Sequence, residues 1–193
     1  MQIIKYPHPT LRHKSKPLRR VDRELRSIVE QMFALMYEDS GIGLAANQVD
    51  LPYRLFILNT ESNPASKESE FVFINPVITQ RKGIVDHEEG CLSFPEIYAP
   101  VRRSEKVTMA AYNLAGQEMT YELDGLLARA AQHELDHLDG VLFIDRLSSA
   151  HRLAIKESLE ELEREFAGDR SRGLIPAEDL MAARLAELES LRT

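Results

Sequence analysis

His133-Glu134-Leu135-Asp136-His137 places two imidazoles four positions apart with a carboxylate between them. In a helix, residues four apart lie one above the other, so both rings can reach one ion while Glu134 projects from the edge of that face. The flanking residues support a helix. Asp124 is a suitable N-cap and Asp139-Gly140 a suitable stop, which predicts a helix over 125–138. Leu127, Ala131, Leu135 and Leu138 form one apolar stripe, and Leu126, Ala130, His133 and His137 form a second beside it. A helix apolar on two sides is buried in the middle of a fold, where a metal site is shielded and rigidly held. A bare His-x-x-x-His pair also reads as two core histidines satisfied by hydrogen bonds; the Glu at the second position favours the metal.

Two histidines leave a catalytic ion one donor short of the usual three protein ligands and open fourth position. Cys91 is the candidate for the third. It is the only cysteine in 193 residues, so it has no disulfide partner within the chain, and the expected compartment is a reducing cytoplasm. A lone cysteine also reads as a small buried hydrophobe. Its setting, Glu88-Glu89-Gly90-Cys91-Leu92-Ser93, argues otherwise, because a glycine and paired acids are poor material for a plain core strand.

The length suits one domain with a full core, and 44% hydrophobic with 28% charged residues is ordinary for a globular protein. A formal net charge of −7 argues against DNA or an anionic membrane as the main partner. The opening, Met1-Gln2-Ile3-Ile4-Lys5-Tyr6-Pro7, lacks the long apolar core of a signal peptide, and no later run approaches the roughly 18 apolar residues of a membrane span.

Along the chain, Asp22 caps a helix running to about Tyr37, with Leu25, Ile28, Val29, Met32, Phe33 and Met36 on one side. Tyr53 to Asn59 reads as a strand, residues 60–70 as a polar loop, and Phe71 to Ile78 as a strand interrupted by Asn75-Pro76. Lys106 to Tyr112 and Glu118 to Leu123 read as a hairpin around Asn113-Leu114-Ala115-Gly116. The tail is expected to form a helix over Ala150 to Phe166, a break from Gly168 to Pro176, and a second helix from Ala177 to Leu191. Met181, Leu185 and Leu188 recur there at heptad-like spacing, which offers either packing on the same chain or a homodimer contact.

Three segments, Gly41-Ile42-Gly43-Leu44-Ala45-Ala46-Asn47-Gln48, Glu89-Gly90-Cys91-Leu92-Ser93 and His133-Glu134-Leu135-Asp136-His137-Leu138-Asp139-Gly140, match in order and approximate spacing the signature motifs of peptide deformylases. The opening Ile4-Lys5-Tyr6-Pro7-His8-Pro9-Thr10-Leu11-Arg12 resembles the start of that family, so the resemblance covers about residues 1–150, a catalytic domain, and leaves 151–193 as a helical extension. It implies an α+β fold, with antiparallel β-sheets packed around a central metal-binding helix and helices at both ends. It also implies a hydrolase that removes the formyl group from the N-terminal methionine of nascent peptides.

The resemblance implies that Cys91, His133 and His137 hold the metal, and that Glu134 takes a proton from the attacking water and passes one to the departing amine. The side-chain amide of Gln48 and the backbone N–H of Leu92 are implied as donors to the oxyanion. The backbone of Ile42, Gly43 and Gly90 is expected to pair with the substrate as an added strand, and His87, Leu126, Arg129 and Ala130 to line the methionine pocket. Arg129 and Ala130 are a cation and a small residue where many family members carry apolar or larger groups.

Coordination preferences alone suggest zinc for one Cys and two His, whereas the resemblance implies Fe2+, with Ni2+ or Co2+ as working substitutes and Zn2+ a poorer one. In related bacterial enzymes the C-terminal helix is implicated in docking on the ribosome. Here it carries Glu157, Glu160, Glu161, Glu163 and Glu165 against Arg152, Lys156 and Arg164, a poor match for RNA. Two other readings compete. A metallopeptidase shares His-Glu-x-x-His but takes its third ligand further along the chain, and a non-catalytic binder with a structural metal would close the fourth position with protein.

Overall fold

The computed structural model describes residues 1–193. The first long element is α1 (Arg23–Glu38), capped as expected by Asp22, whose carboxylate accepts the Leu25 N–H at 2.9 Å. Seven strands follow: β1 (Gly43–Ala45), β2 (Leu55–Leu58), β3 (Phe71–Lys82), β4 (Val85–Cys91), β5 (Phe94–Arg103), β6 (Lys106–Tyr112) and β7 (Glu118–Asp124). Then comes α2 (Gly125–Leu138), over the span its pattern predicts. The tail forms α3 (Ser149–Ala154), α4 (Lys156–Ser171) and α5 (Glu178–Arg192). No helix is long and apolar enough to cross a membrane.

All strand pairs are antiparallel, in a five-stranded sheet of order β1-β2-β3-β6-β7 and a two-stranded sheet of β4 and β5. The sequence of β2, Leu55-Phe56-Ile57-Leu58, is apolar throughout because the strand is covered on both faces. Leu55 and Ile57 pack toward α1 with Val29, Met32 and Met36. Phe56 and Leu58 point the other way, onto Ala128, Ala131, Leu135 and Leu138 of α2. Phe56 stacks on Phe73 at 4.7 Å between centroids, both fully buried; burial of each stabilises the fold by about 1.5–3 kcal/mol.

β5 alternates, its buried residues Phe94, Ile97, Ala99 and Val101 meeting Leu142, Phe143, Leu159 and Leu162 in a third cluster. The central helix is thus wedged between two sheets. Its C-terminal end is tied to the chain's opening: Ser15 N–H donates to Leu138 C=O at 2.9 Å. Gly140 follows in the left-handed region, at φ 72°, with the Arg12 carbonyl filling the place of a side chain.

Several expectations are corrected. β4 and β5 were not anticipated, since their acids, arginines and prolines obscure the strand pattern. β3 runs straight through Asn75-Pro76 as a bulge, with the register shifted between Ile74 and Val77 and Asn75 at φ 54°. The Asn75 side chain accepts the Leu18 N–H at 2.7 Å and donates to Leu18 C=O at 2.8 Å, tying the bulge to the N-terminal segment. Asp124 precedes α2, but its side chain makes no capping hydrogen bond. The first tail helix is split at Ile155 and continues to Ser171, beyond the expected break at Gly168.

The second tail helix docks on its own chain. Met181 and Leu185 are buried and Leu188 packs on the α1 core, so the stripe offered as a dimer contact is already covered. Polar contacts hold α5 along the N-terminal segment. Glu189 accepts from Lys16 at 2.9 Å and lies 2.8 Å from His13 Nε2, and the buried Arg192 donates to Asp22 and Glu24.

Candidate metal centre and active site

α2 presents His133 and His137 one turn apart on its buried face, their ring centroids 5.0 Å from each other. The last residue of β4, Cys91, meets them. One potential ligand atom from each of Cys91, His133 and His137 lies within 4.8 Å of the others, and Cys91 Sγ is 3.3 Å from His137 Nε2. A thiolate and two imidazoles converging in this way suit a divalent transition metal. His133 Nδ1 is engaged by Glu89 at 3.0 Å, which leaves Nε2 available to an ion. Burial holds His137 well below the usual imidazole range, and a neutral ring is the form that ligates.

Behind the histidines runs a charge network that the motifs alone did not expose. Glu89 receives both Arg103 Nε and Nη2 at 2.8 Å, and Arg103 also donates to Asp136 on α2, which Arg146 holds from outside. Arg103 is only 4% exposed, so its charge survives burial because carboxylates meet it on two sides. Burial alone would raise the Glu89 carboxyl; the hydrogen bonds from Arg103 and His133 outweigh it and hold the group at about 2. The acidic Glu89 in an otherwise strand-like stretch, and the Asp136 between the two histidines, were the signals available in the sequence.

Glu134, between the two histidines in sequence, is buried, with Oε2 lacking any hydrogen-bond partner. Burial pushes its carboxyl up to about 7. It packs against Gly43, where a Cβ would lie 2.6 Å from Glu134 Oε1, so only glycine leaves the carboxylate its place. Gln48 is buried in the 3-10 turn Ala46–Val49. Its Oε1 accepts the Ala45 N–H at 2.8 Å, which orients the amide so that Nε2 donates toward Cys91 Sγ and Ser93 Oγ, each at 3.4 Å. Leu92 lies in the short turn between β4 and β5.

These groups open onto a cleft of about 630 Å³. Ile42, Gly43, Gly90, Leu126, Arg129 and Ala130 all line it, as do Gln48, Leu92 and Glu134. His87 does not. It is exposed on β4, paired with Val101, while its neighbours Glu88 and Glu89 line the cleft. Tyr98 of β5, not singled out in the sequence, joins the wall, its ring lying against Gly90 where a Cβ would be 2.5 Å away. β1 and β4 flank the cleft, and each keeps one edge unpaired.

Comparison with known proteins agrees with this arrangement. The family model described as polypeptide deformylase matches residues 1–153. A peptide deformylase of Rhodopirellula baltica is 43% identical over 196 residues, covering 100% of this chain and 96% of that protein. One from Neisseria gonorrhoeae is 43% identical over 164 residues, covering 85% of this chain and 96% of its own. Among solved structures, a plant peptide deformylase superposes with a TM-score of 0.85 at 40% identity, covering 92% of this chain and 95% of its own. The Plasmodium falciparum peptide deformylase gives 0.84 at 38% identity, covering 86% and 98%. Matched by the family model over residues 1–153 and sharing sequence and fold with these relatives over most of its length, the chain belongs to the peptide deformylase family.

Proposed function

We propose that this protein hydrolyses the N-terminal formyl group from formyl-methionine of newly synthesised polypeptides, with Glu134 as both general base and general acid. The carrying observation is the placement of Glu134: a buried carboxylate with one unpartnered oxygen, packed against Gly43 beside the two histidines at the wall of a peptide-sized cleft. Cys91, His133 and His137 would hold one divalent ion, which when bound supplies Lewis acidity and lowers the pKa of water toward neutrality. Glu134 takes the proton of the water as its oxygen bonds to the formyl carbon. As the C–N bond breaks, the same carboxyl returns a proton to the methionine nitrogen, and formate and a free amine depart. The Gln48 amide and the Leu92 N–H donate to the oxygen that gains charge between these events.

The substrate backbone would lie along the free edges of β1 and β4, using Ile42, Gly43 and Gly90, with its first side chain toward Leu126, Arg129 and Ala130. We assign ferrous iron as the ion in the cell, following the family, and the cytoplasm as the compartment, where nascent chains and a reduced Cys91 are found together. The test is formate release from formyl-Met-Ala-Ser by anaerobically purified, metal-loaded protein. Release that disappears in Glu134→Ala while metal content is kept supports the reading. No release from metal-replete wild type overturns it in favour of a peptide-binding role, and cleavage of an unformylated peptide would point to a peptidase.

A further inference from the structure

We propose that Arg184 of α5 is a positioning residue for Gln48, acting through Asp50, so that the C-terminal extension sets the rate of the reaction and does more than cover apolar surface. The inference rests on the reading of Gln48 as an oxyanion donor. It concerns a helix lying wholly beyond the residues 1–153 that the family model matches.

Gln48 is carried by the 3-10 turn Ala46–Val49, which closes at Asp50 in the left-handed region, φ 60°. A non-glycine residue holds that conformation at a cost and persists there only when its surroundings over-determine it. At Asp50 they do. Its N–H donates to the Ala46 and Asn47 carbonyls, and its Oδ1 accepts from Thr10 Oγ1 at 2.5 Å. Arg184 then grips the residue twice, Nη1 donating to Oδ2 at 2.6 Å and Nη2 to the Asp50 carbonyl at 3.1 Å. One planar guanidinium thereby fixes both the side chain and the backbone of the residue that ends the turn.

From the other side, Ile4 N–H donates to the Gln48 carbonyl at 2.8 Å, and the Asn47 side chain donates to His13 C=O at 2.7 Å. The turn is therefore suspended between the N-terminal segment and α5, two residues from the amide that must meet a developing charge. Arg184 is nearly half exposed, and an exposed ion pair contributes little to folding stability. Glu189 and Arg192 keep α5 docked without it. Removing Arg184 thus loosens the Gln48 turn while leaving the helix in place.

The experiment is a double-mutant cycle in the full-length, metal-loaded protein, with Arg184→Ala and Gln48→Ala made singly and together, and kcat, KM, bound metal and Tm recorded for each. Arg184→Ala is expected to lower kcat by about three- to tenfold, with KM, metal content and Tm close to wild type. In the Gln48→Ala background it should have no further effect, because the amide it positions is gone. Arg184→Lys, which can restore the contact to Oδ2 but not the second one, should recover part of the loss. A kcat for Arg184→Ala equal to wild type overturns the proposal, and so does a loss that persists in full on top of Gln48→Ala. A Gln48→Ala single variant with unchanged kcat overturns instead the assignment of Gln48 as donor, and that outcome is visible before the double variant is made.

Discussion

Glu89 Oε2 lies 3.0 Å from His133 Nδ1, joining the end of β4 to the central helix across the site that both elements build. The contact fixes the ring so that its other nitrogen faces Cys91 and His137. Glu89→Ala is expected to weaken metal affinity by about 10- to 100-fold. Competition with a chelator, measured by metal content after dialysis, reads this directly; retention equal to wild type would remove Glu89 from the support of the centre.

Arg103 bridges Glu89 and Asp136 at 4% exposure. Cutting it away leaves two carboxylates buried without their shared cation, so Arg103→Ala is expected to destabilise the fold by about 3–5 kcal/mol. Denaturant unfolding of the two proteins side by side gives the difference. A change under about 1 kcal/mol would mean that water reaches these carboxylates readily.

Gly43→Ala tests the crowding against Glu134. The new methyl would stand 2.6 Å from Glu134 Oε1 and 2.7 Å from a Leu58 methyl, so the carboxylate must move. The expected result is a fall in kcat of about 10- to 100-fold with bound metal retained. Normal turnover in this variant would show that the carboxylate need not occupy its present place.

The docking of α5 should depend on pH through Glu189. Burial alone would raise this carboxyl; contacts with Lys16 and His13 outweigh it and leave it below its ordinary value of 4.5. A depressed folded-state value means that the contribution is fully present above about pH 4.5 and lost as pH falls through the lower, folded value. The Tm gap between wild type and Glu189→Gln should accordingly be open above pH 4.5 and narrow as pH falls below it. A gap that does not change with pH would show that the charge on Glu189 contributes nothing to holding the helix.

If iron is the native ion, a ferrous centre beside a thiolate should lose activity in air and keep it under argon. Equal survival in both, with zinc found after native purification, would count against iron. Stripping the ion should abolish turnover but leave the far-ultraviolet dichroism largely unchanged, since three apolar clusters hold the fold without contribution from the ligands' charges.

Where one physical signal dominated, the sequence was readable. The span of α2 followed from its two apolar stripes and the Asp139-Gly140 stop, and the apolar run within Tyr53 to Asn59 read as the strand that became β2. The metal trio was legible because Cys91 had no competitor. β4 and β5 were not, since Asp86, Glu89, Arg102 and Arg103 are there for ion pairs across the two strands and toward α2, and such charges break the alternation that marks a strand. Asn75-Pro76 looked like an interruption because what anchors the bulge, the backbone of Leu18 held by the Asn75 side chain, lies 57 positions away.

The unpaired edges of β1 and β4 bear on what the protein refuses as well as on what it takes. An open edge invites any neighbouring sheet, and copies of this chain would meet one another there if it were long and neutral. β1 is three residues long and β4 carries the exposed acids Asp86 and Glu88, features that disfavour edge-to-edge pairing of sheets. A short extended peptide end needs only two or three main-chain hydrogen bonds. Main-chain pairing of that length would be indifferent to the side chains that follow, so an edge used in this way would accept the beginnings of very many different proteins.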